Sequence, residues 1–122
     1  MIREVDVRTF AAAHRDGAFV IDVREAYEYA AGHVPGALLV PLATVHARMG
    51  EFPRHEPVYV ICASGSRSLA AASWLASAGI DAWSVAGGTS AWASAGGPLA
   101  RRLRAAPGPN GLGALRENGL GA

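Results

Sequence analysis

Cys62 and the six residues after it are the part of the chain best suited to chemistry. The segment 62–68 reads CASGSRS and contains no proline, so each residue keeps a backbone N–H that can donate a hydrogen bond. If these N–H groups turn inward they form a nest that binds an anion, and a helix beginning here adds the positive end of its dipole. Gly65 supplies the conformational freedom that so tight a curve requires. The segment therefore predicts an anion-binding loop headed by a thiol.

The same loop predicts an activated nucleophile. A thiol beside inward-facing N–H groups and near an arginine should have a pKa well below its usual value, so Cys62 would be a thiolate at neutral pH. The thiolate is the nucleophilic form, and it needs no histidine base here. The alternative is that Cys62 is a small buried hydrophobic residue, which is the commoner fate of an isolated cysteine. The strand, cysteine, glycine, arginine and helix in immediate succession favour the nucleophile. The candidate substrate-binding residues are accordingly Ala63, Ser64, Gly65, Ser66 and Arg67.

Arg67 is expected to face the loop. Its spacing from Cys62 puts it on the closing arm, where a guanidinium can reach both the thiolate and an incoming anion. An arginine at the start of a helix usually forms an ion pair with an acidic residue on the surface. We expect that Arg67 does not form such a pair.

The loop is positioned by the strands and helices around it, which the sequence predicts from short apolar runs that alternate with helical patterns. Near-continuous apolar runs at 18–23, 57–61 and 82–85 predict buried strands, and shorter runs at 5–7 and 37–40 predict two more. Helices are predicted from Asp6 to Gly17 and at 25–30, 42–49, 66–78 and 89–95. Repeated strand and helix units indicate an α/β fold, with a five-stranded parallel sheet flanked by helices on both faces. Ligands of such sheets bind beyond the carboxyl ends of the strands, and Cys62 lies at one of these ends.

The composition excludes several other classes of protein. The chain has 122 residues, of which 51% are hydrophobic, enough for one globular domain. Eleven basic residues against ten acidic ones leave a formal charge of +1, so no basic field points to nucleic acid. The uncharged stretch 82–100 is too rich in glycine and serine to span a membrane. One cysteine cannot close an intrachain disulfide and no export signal is visible, so we expect a cytoplasmic protein that binds neither nucleic acid nor membrane.

Residues 105–122 differ in composition from the rest of the chain. Five glycines and two prolines among these 18 residues exceed the proportion that is typical of a packed domain. Such a segment buries too little apolar area to offset its ordering entropy. We therefore expect residues 1–104 to form the domain and residues 105–122 to form a flexible tail that the fold does not need. The alternative is a tail that docks through Leu112, Leu115 or Leu120.

Four segments, taken together, resemble the single-domain rhodaneses, a family of sulfurtransferases. They are the loop 62–68 (CASGSRS), Ile21–Arg24 (IDVR), Gly32–Ala37 (GHVPGA), and Ala86–Gly88 (AGG) with Trp92. They occur in the family's order and at compatible spacing, within a match that spans about residues 3–100. Any one of the segments would be weak evidence, whereas the set is highly specific.

The resemblance implies persulfide chemistry. Cys62 would take the outer sulfur of a donor such as thiosulfate, hold it as a persulfide and pass it to a thiophilic acceptor such as cyanide or a thiol. The N–H groups of the loop and Arg67 would hold the donor's anion and then the persulfide. No metal or organic cofactor is implied. Ala63 departs from the family pattern, because many members that use thiosulfate carry a basic residue there. The donor therefore stays open, and a mercaptopyruvate-like acid or another protein's persulfide are alternatives.

Asp22 and Arg24 end the second predicted strand and are candidate supporting residues. They could face the pocket, but an ion pair that braces the structure explains them as well, and we favour the ion pair. By the same resemblance, His33 would brace a loop. The other three histidines are scattered, without i, i+4 pairing or a second cysteine, so we predict no metal site and solvated histidines.

Two alternatives to a sulfurtransferase that turns over small molecules remain open. One is a carrier or interaction module that receives a persulfide from one protein and passes it to another. The other is a phosphatase or arsenate reductase, a class that uses the same cysteine, loop and arginine. Those enzymes resemble one another in having five residues between the cysteine and the arginine, whereas four residues, 63–66, separate Cys62 from Arg67 here. The shorter loop suits a single extra sulfur atom.

Overall fold

The fold is taken from a computed structural model that describes residues 2–101. The predicted domain end at residue 104 and the predicted tail 105–122 lie outside the described residues. The strands are Glu4–Val5 (β1), Phe19–Asp22 (β2), Leu38–Leu39 (β3), Val58–Ile61 (β4) and Ala82–Val85 (β5). The helices are Val7–Arg15 (α1), Ala26–Ala31 (α2), Ser66–Ser77 (α3) and Gly88–Ser94 (α4). No helix among residues 2–101 is long and apolar enough to cross a membrane.

The strands form one parallel sheet, as predicted. Their order is β1-β5-β4-β2-β3, so β4 is central and has β5 on one side and β2 on the other. Asp22 at the end of β2 lies opposite Ile61 at the end of β4. Cys62 follows Ile61 directly and therefore emerges from the middle of the sheet, at the edge where all five strands end.

Helices cover both faces of the sheet, which confirms the predicted α/β class. Phe19 and Ile21 of β2 point into a core that includes Leu75 of α3. Val20, the residue between them, points into a second core with Phe10 of α1 and Trp92 of α4. Alternate residues of a strand face opposite sides, so a sheet that is covered on both sides needs the continuous apolar runs that the strands carry.

The helix predicted at 42–49 is wrong. The chain forms two successive 3-10 segments there, Leu42–Thr44 and His46–Glu51. The backbone N–H and the hydroxyl of Thr44 both bond to the carbonyl of Pro41, each over 2.8 Å. A side chain that bonds locally in this way favours a turn over a regular helix. The Arg48–Glu51 ion pair has the three-residue spacing that a 3-10 helix aligns.

The expectation of solvated histidines is also wrong for His14. Its Nε2 lies 2.7 Å from the carbonyl oxygen of Pro35, and its ring lies edge-on to Trp92 with the ring centres 5.1 Å apart. His14 therefore links α1 to the loop before β3 and to α4.

Candidate active site

Cys62 opens a tight loop that runs from the end of β4 into the first turn of α3. The bend is made by Gly65, which adopts a φ of +113° at the start of the helix. A Cβ atom at Gly65 would lie 3.3 Å from the backbone nitrogen of Gly87. Only glycine combines this conformation with so close an approach to the segment after β5.

The loop turns its hydrogen-bond donors toward the sulfur of Cys62. The N–H of Gly65 donates to Sγ over 3.1 Å and the N–H of Ser68 over 3.3 Å. The hydroxyl oxygen of Ser68 also lies 3.3 Å from Sγ. Cys62 is 1% exposed, so the protein encloses its side chain.

These contacts favour the thiolate. Burial raises the pKa of the Cys62 thiol, but hydrogen bonds from the Ser68 hydroxyl and from the N–H groups of Ser68, Gly65 and Ser64 outweigh it, and the net pKa lies below the usual value. Hydrogen bonds to the charged form stabilise that form. The geometry therefore suits a buried anionic nucleophile.

Two buried serines that the sequence reasoning missed support the sulfur. The Ser68 hydroxyl lies 2.8 Å from the hydroxyl of Ser84 on β5 and 3.2 Å from the carbonyl of Gly65. Both serines are fully buried. A hydroxyl has one proton to donate, so when Ser68 donates to the thiolate, Ser84 can donate to Ser68. The sequence could have revealed Ser84, because it is the one polar residue in the otherwise apolar strand AWSV.

The N-terminus of α4 holds the carbonyl side of the loop. The N–H of Thr89 donates to the carbonyl of Cys62 over 2.8 Å, and the Thr89 hydroxyl donates to the same oxygen over 3.0 Å. The N–H of Ser90 donates to the carbonyl of Ala63 over 3.1 Å. These bonds turn the loop carbonyls away from the sulfur, which leaves the opposite side of the loop to its N–H groups.

Arg67 does pair with an acid, contrary to our expectation. Its Nη1 and Nη2 donate to the two carboxylate oxygens of Glu28 on α2, over 2.8 and 2.9 Å. The pair lowers the pKa of Glu28 to about 2 and raises that of Arg67, with a smaller contribution to Arg67 from the charge of Cys62. Glu28 lies 39 positions away in sequence, so local spacing could not reveal this partner.

Asp22 and Arg24 form a buried ion pair. The Nε and Nη2 atoms of Arg24 donate to the Asp22 carboxylate over 2.8 to 3.1 Å, and Nη2 also donates to the carbonyl of Gly32 over 2.8 Å. The ring of His33 stacks on Tyr29 with the ring centres 3.6 Å apart. These contacts connect the end of β2 to α2 and to the turn after α2. Asp22 and Arg24 therefore form the structural ion pair that we favoured.

The remaining loop residues are more exposed than Cys62. Ser64 and Ser66 are exposed and Ala63 is half-buried, so the loop presents small uncharged side chains to the solvent. Within residues 2–101 no group of three or more histidine, cysteine or acidic side chains is arranged to hold a metal ion.

Comparison with known proteins agrees with this geometry. Residues 6–95 match the model of the rhodanese-like domain. A sulfurtransferase of Allochromatium vinosum is 32% identical over 81 residues, which are 65% of this chain and 76% of that protein. The "Putative sulfur carrier protein YrkF" of Bacillus subtilis is 40% identical over 60 residues, which are 49% of this chain and 32% of that longer protein.

Solved structures show the same fold. A rhodanese-related protein from Thermoplasma volcanium has a TM-score of 0.77 at 27% identity, over 82% of this chain and 99% of that one. A rhodanese-like domain protein from Staphylococcus aureus has a TM-score of 0.69 at 32% identity, over 74% and 90% of the two chains. Family model, relatives and fold agree, and the chain belongs to the rhodanese-like family.

Proposed function

We propose that the protein is a sulfurtransferase that carries a sulfane sulfur as a persulfide on Cys62. The observation that supports this most directly is the buried sulfur, held by the N–H groups of Gly65 and Ser68 and by the Ser68 hydroxyl. These donors stabilise a thiolate before the reaction, and they can stabilise the anionic outer sulfur of a persulfide after it.

The chemistry divides into two displacements at sulfur. In the first, the Cys62 thiolate attacks the outer sulfur of thiosulfate, the S–S bond of the donor breaks, and its electron pair leaves with sulfite. In the second, an acceptor such as cyanide or a thiolate attacks the outer sulfur of the persulfide, and the electron pair returns to Cys62. Charge and atoms balance in both steps, and neither needs a metal or an organic cofactor.

A carrier that exchanges persulfide with another protein is the second candidate. The name of the Bacillus subtilis relative supports it, because that protein is described as a sulfur carrier. A carrier and an enzyme share the persulfide on Cys62 and differ in how fast small molecules turn over. A phosphatase or arsenate reductase is less well supported, because four residues separate Cys62 from Arg67 and Glu28 already occupies the Arg67 guanidinium.

Thiocyanate formation from thiosulfate and cyanide tests the enzyme. We expect turnover by the wild type and its loss in Cys62→Ser, because a hydroxyl is far less acidic than a thiol. Circular dichroism and urea unfolding of the variant control for folding. Thiocyanate formation that survives in Cys62→Ser would contradict the role of Cys62. A fast, complete first displacement followed by slow turnover would favour the carrier.

A further inference from the structure

We propose that Glu28 determines donor specificity, steering Cys62 toward sulfane-sulfur donors with one negative charge or none and away from dianions such as thiosulfate. The inference rests on the proposed function and names the class of donor for the same site. A thiol persulfide, which has at most one charge, belongs to the favoured class.

The first observation is that the positive charge of Arg67 is already matched. Both of its terminal nitrogens donate to Glu28, one to each carboxylate oxygen. The Arg67 side chain is 35% exposed and that of Glu28 is 19% exposed, so solvent reaches the pair. Arg67 directly precedes Ser68, whose N–H donates to Cys62 Sγ over 3.3 Å, so the pair adjoins the site. A dianionic donor can bind the Arg67 guanidinium only by displacing the Glu28 carboxylate. That carboxylate is held by two parallel hydrogen bonds, which is the strongest geometry for an arginine and a carboxylate.

The other residues predicted for the site supply no free positive charge. Arg24, at the end of β2, is bound to Asp22 and to the carbonyl of Gly32. The residue after the cysteine is Ala63, and Ser64 and Ser66 are uncharged. The formal charges of a Cys62 thiolate, Arg67 and Glu28 sum to one negative charge. Coulomb repulsion scales with the donor's charge, so a dianion is opposed about twice as strongly as a monoanion.

Glu28 can be changed with little damage to its helix. Its Oε1 also accepts the N–H of Glu25 over 3.0 Å, which closes a capping box at the start of α2. Glutamine serves at this position of a capping box as glutamate does. Glu28→Gln therefore keeps the shape and the cap of α2 while it removes the charge beside Arg67.

Two donors that differ in charge separate this effect from general reactivity. Thiosulfate is a dianion, and methanethiosulfonate is a monoanion with a methyl group in place of one oxygen. In each case the Cys62 thiolate attacks the outer sulfur and the S–S bond breaks, and sulfite or methanesulfinate leaves with the electron pair. The measurement is the rate constant of persulfide formation on Cys62, followed by intact mass, for both donors and each variant.

We expect Glu28→Gln to raise the rate constant for thiosulfate by about three- to tenfold, and that for methanethiosulfonate by less. Glu51→Gln is the matched control, because it removes one charge from the two-bond pair of Arg48 and Glu51. It should leave the ratio of the two rate constants unchanged. A second variant, Glu28→Gln with Arg67→Gln, removes both charges and should return the ratio close to that of the wild type.

An unchanged donor ratio in Glu28→Gln would overturn the inference while leaving the proposed function intact. So would an equal shift in Glu51→Gln, since the effect would then be one of overall charge. If the wild type formed no persulfide with either donor or with a thiol persulfide, the proposed function would fail first and the inference with it.

Discussion

Ser68 lowers the pKa of Cys62 more than any charged side chain does. Burial opposes the thiolate, and the hydroxyl and N–H of Ser68 do most to lower the pKa against it, followed by the N–H groups of Gly65 and Ser64. Ser68 in turn lies 2.8 Å from the buried Ser84 hydroxyl. At the scale of single residues, uncharged hydrogen-bond donors therefore do most to favour the thiolate form of Cys62.

Removing the Ser68 hydroxyl should make Cys62 less acidic. A hydrogen bond to a charged group is worth ~1.5 to 3 kcal/mol, so we expect Ser68→Ala to slow alkylation by iodoacetamide at pH 7 by about tenfold or more. The thiolate forms as pH rises through the pKa of Cys62, which lies below its usual value of 9.0 in the folded protein. The pH profile of alkylation should therefore move to higher pH in the variant. Ser84→Ala should move it less, because Ser84 acts through Ser68.

Ser73→Ala is the control for this effect. Ser73 lies on the same helix as Ser68 but is exposed, so its replacement should leave the pH profile in place. A profile that stays unchanged in Ser68→Ala would show that backbone N–H groups alone hold the thiolate.

Residue-level roles were predictable only where they depend on neighbours in sequence. The loop 62–68 could be recognised because its donors, its glycine and its helix are contiguous. The Arg67–Glu28 pair could not, because it joins the first turn of α3 to α2, 39 positions earlier. Whether Arg67 faces the loop or pairs with an acid depends on where α2 lies. Ser84 carried a usable signal, since a buried polar residue in an apolar strand needs a partner.

At the scale of elements, two helix N-termini hold opposite sides of the loop. The first turn of α3 directs N–H groups at the sulfur, and the first turn of α4 directs N–H groups at the carbonyls of Cys62 and Ala63. The close approach of α4 depends on Gly88, where a Cβ atom would lie 2.4 Å from the Cys62 carbonyl oxygen. We infer that α4 fixes the shape of the loop.

Gly88→Ala should therefore disturb both stability and the loop. Gly88 has a φ of +57°, a conformation that is strained for alanine, and the new methyl group would also overlap the backbone at Cys62 and Ala63. We expect a loss of ~2 to 5 kcal/mol in the free energy of unfolding by urea, together with slower alkylation of Cys62.

Gly96→Ala separates the two causes. Gly96 has a φ of +88°, but a Cβ atom there would meet nothing within 4 Å. It should show the conformational effect alone, a loss of ~1 to 2 kcal/mol, with alkylation unchanged. Equal losses in the two variants would mean that the contact between α4 and the loop does not shape the site.

The elements themselves were predictable where burial or caps are strong. Phe19–Asp22 and Val58–Ile61 are buried along almost their whole length, so their apolar runs marked them as strands. Asp6 caps α1 by accepting the N–H of Thr9 over 2.8 Å, which ends β1 at Val5 rather than at the predicted Val7. The segment 42–49 was wrongly predicted to be an α-helix, because apolar spacing does not reveal the local bonds of Thr44 that favour a turn at its start.

At the scale of the whole molecule, the parallel sheet determines where Cys62 lies. All five strands end at one edge, and the central strand β4 delivers Cys62 there, between β5, which carries Ser84, and β2, which carries Asp22. Apolar cores cover both faces of the sheet below Cys62. The fold thus buries the sulfur that we propose as the nucleophile among hydrogen-bond donors, below a loop with small exposed side chains.

Intact-mass measurement of the protein after incubation with a sulfane donor tests the central claim most directly. Thiosulfate, methanethiosulfonate and mercaptopyruvate would each be tried, and the mass read before and after addition of cyanide. We expect a gain of one sulfur atom with at least one donor, its absence in Cys62→Ser, and its removal by cyanide. Failure of every donor to add that sulfur to Cys62 in the folded wild-type protein would contradict the account.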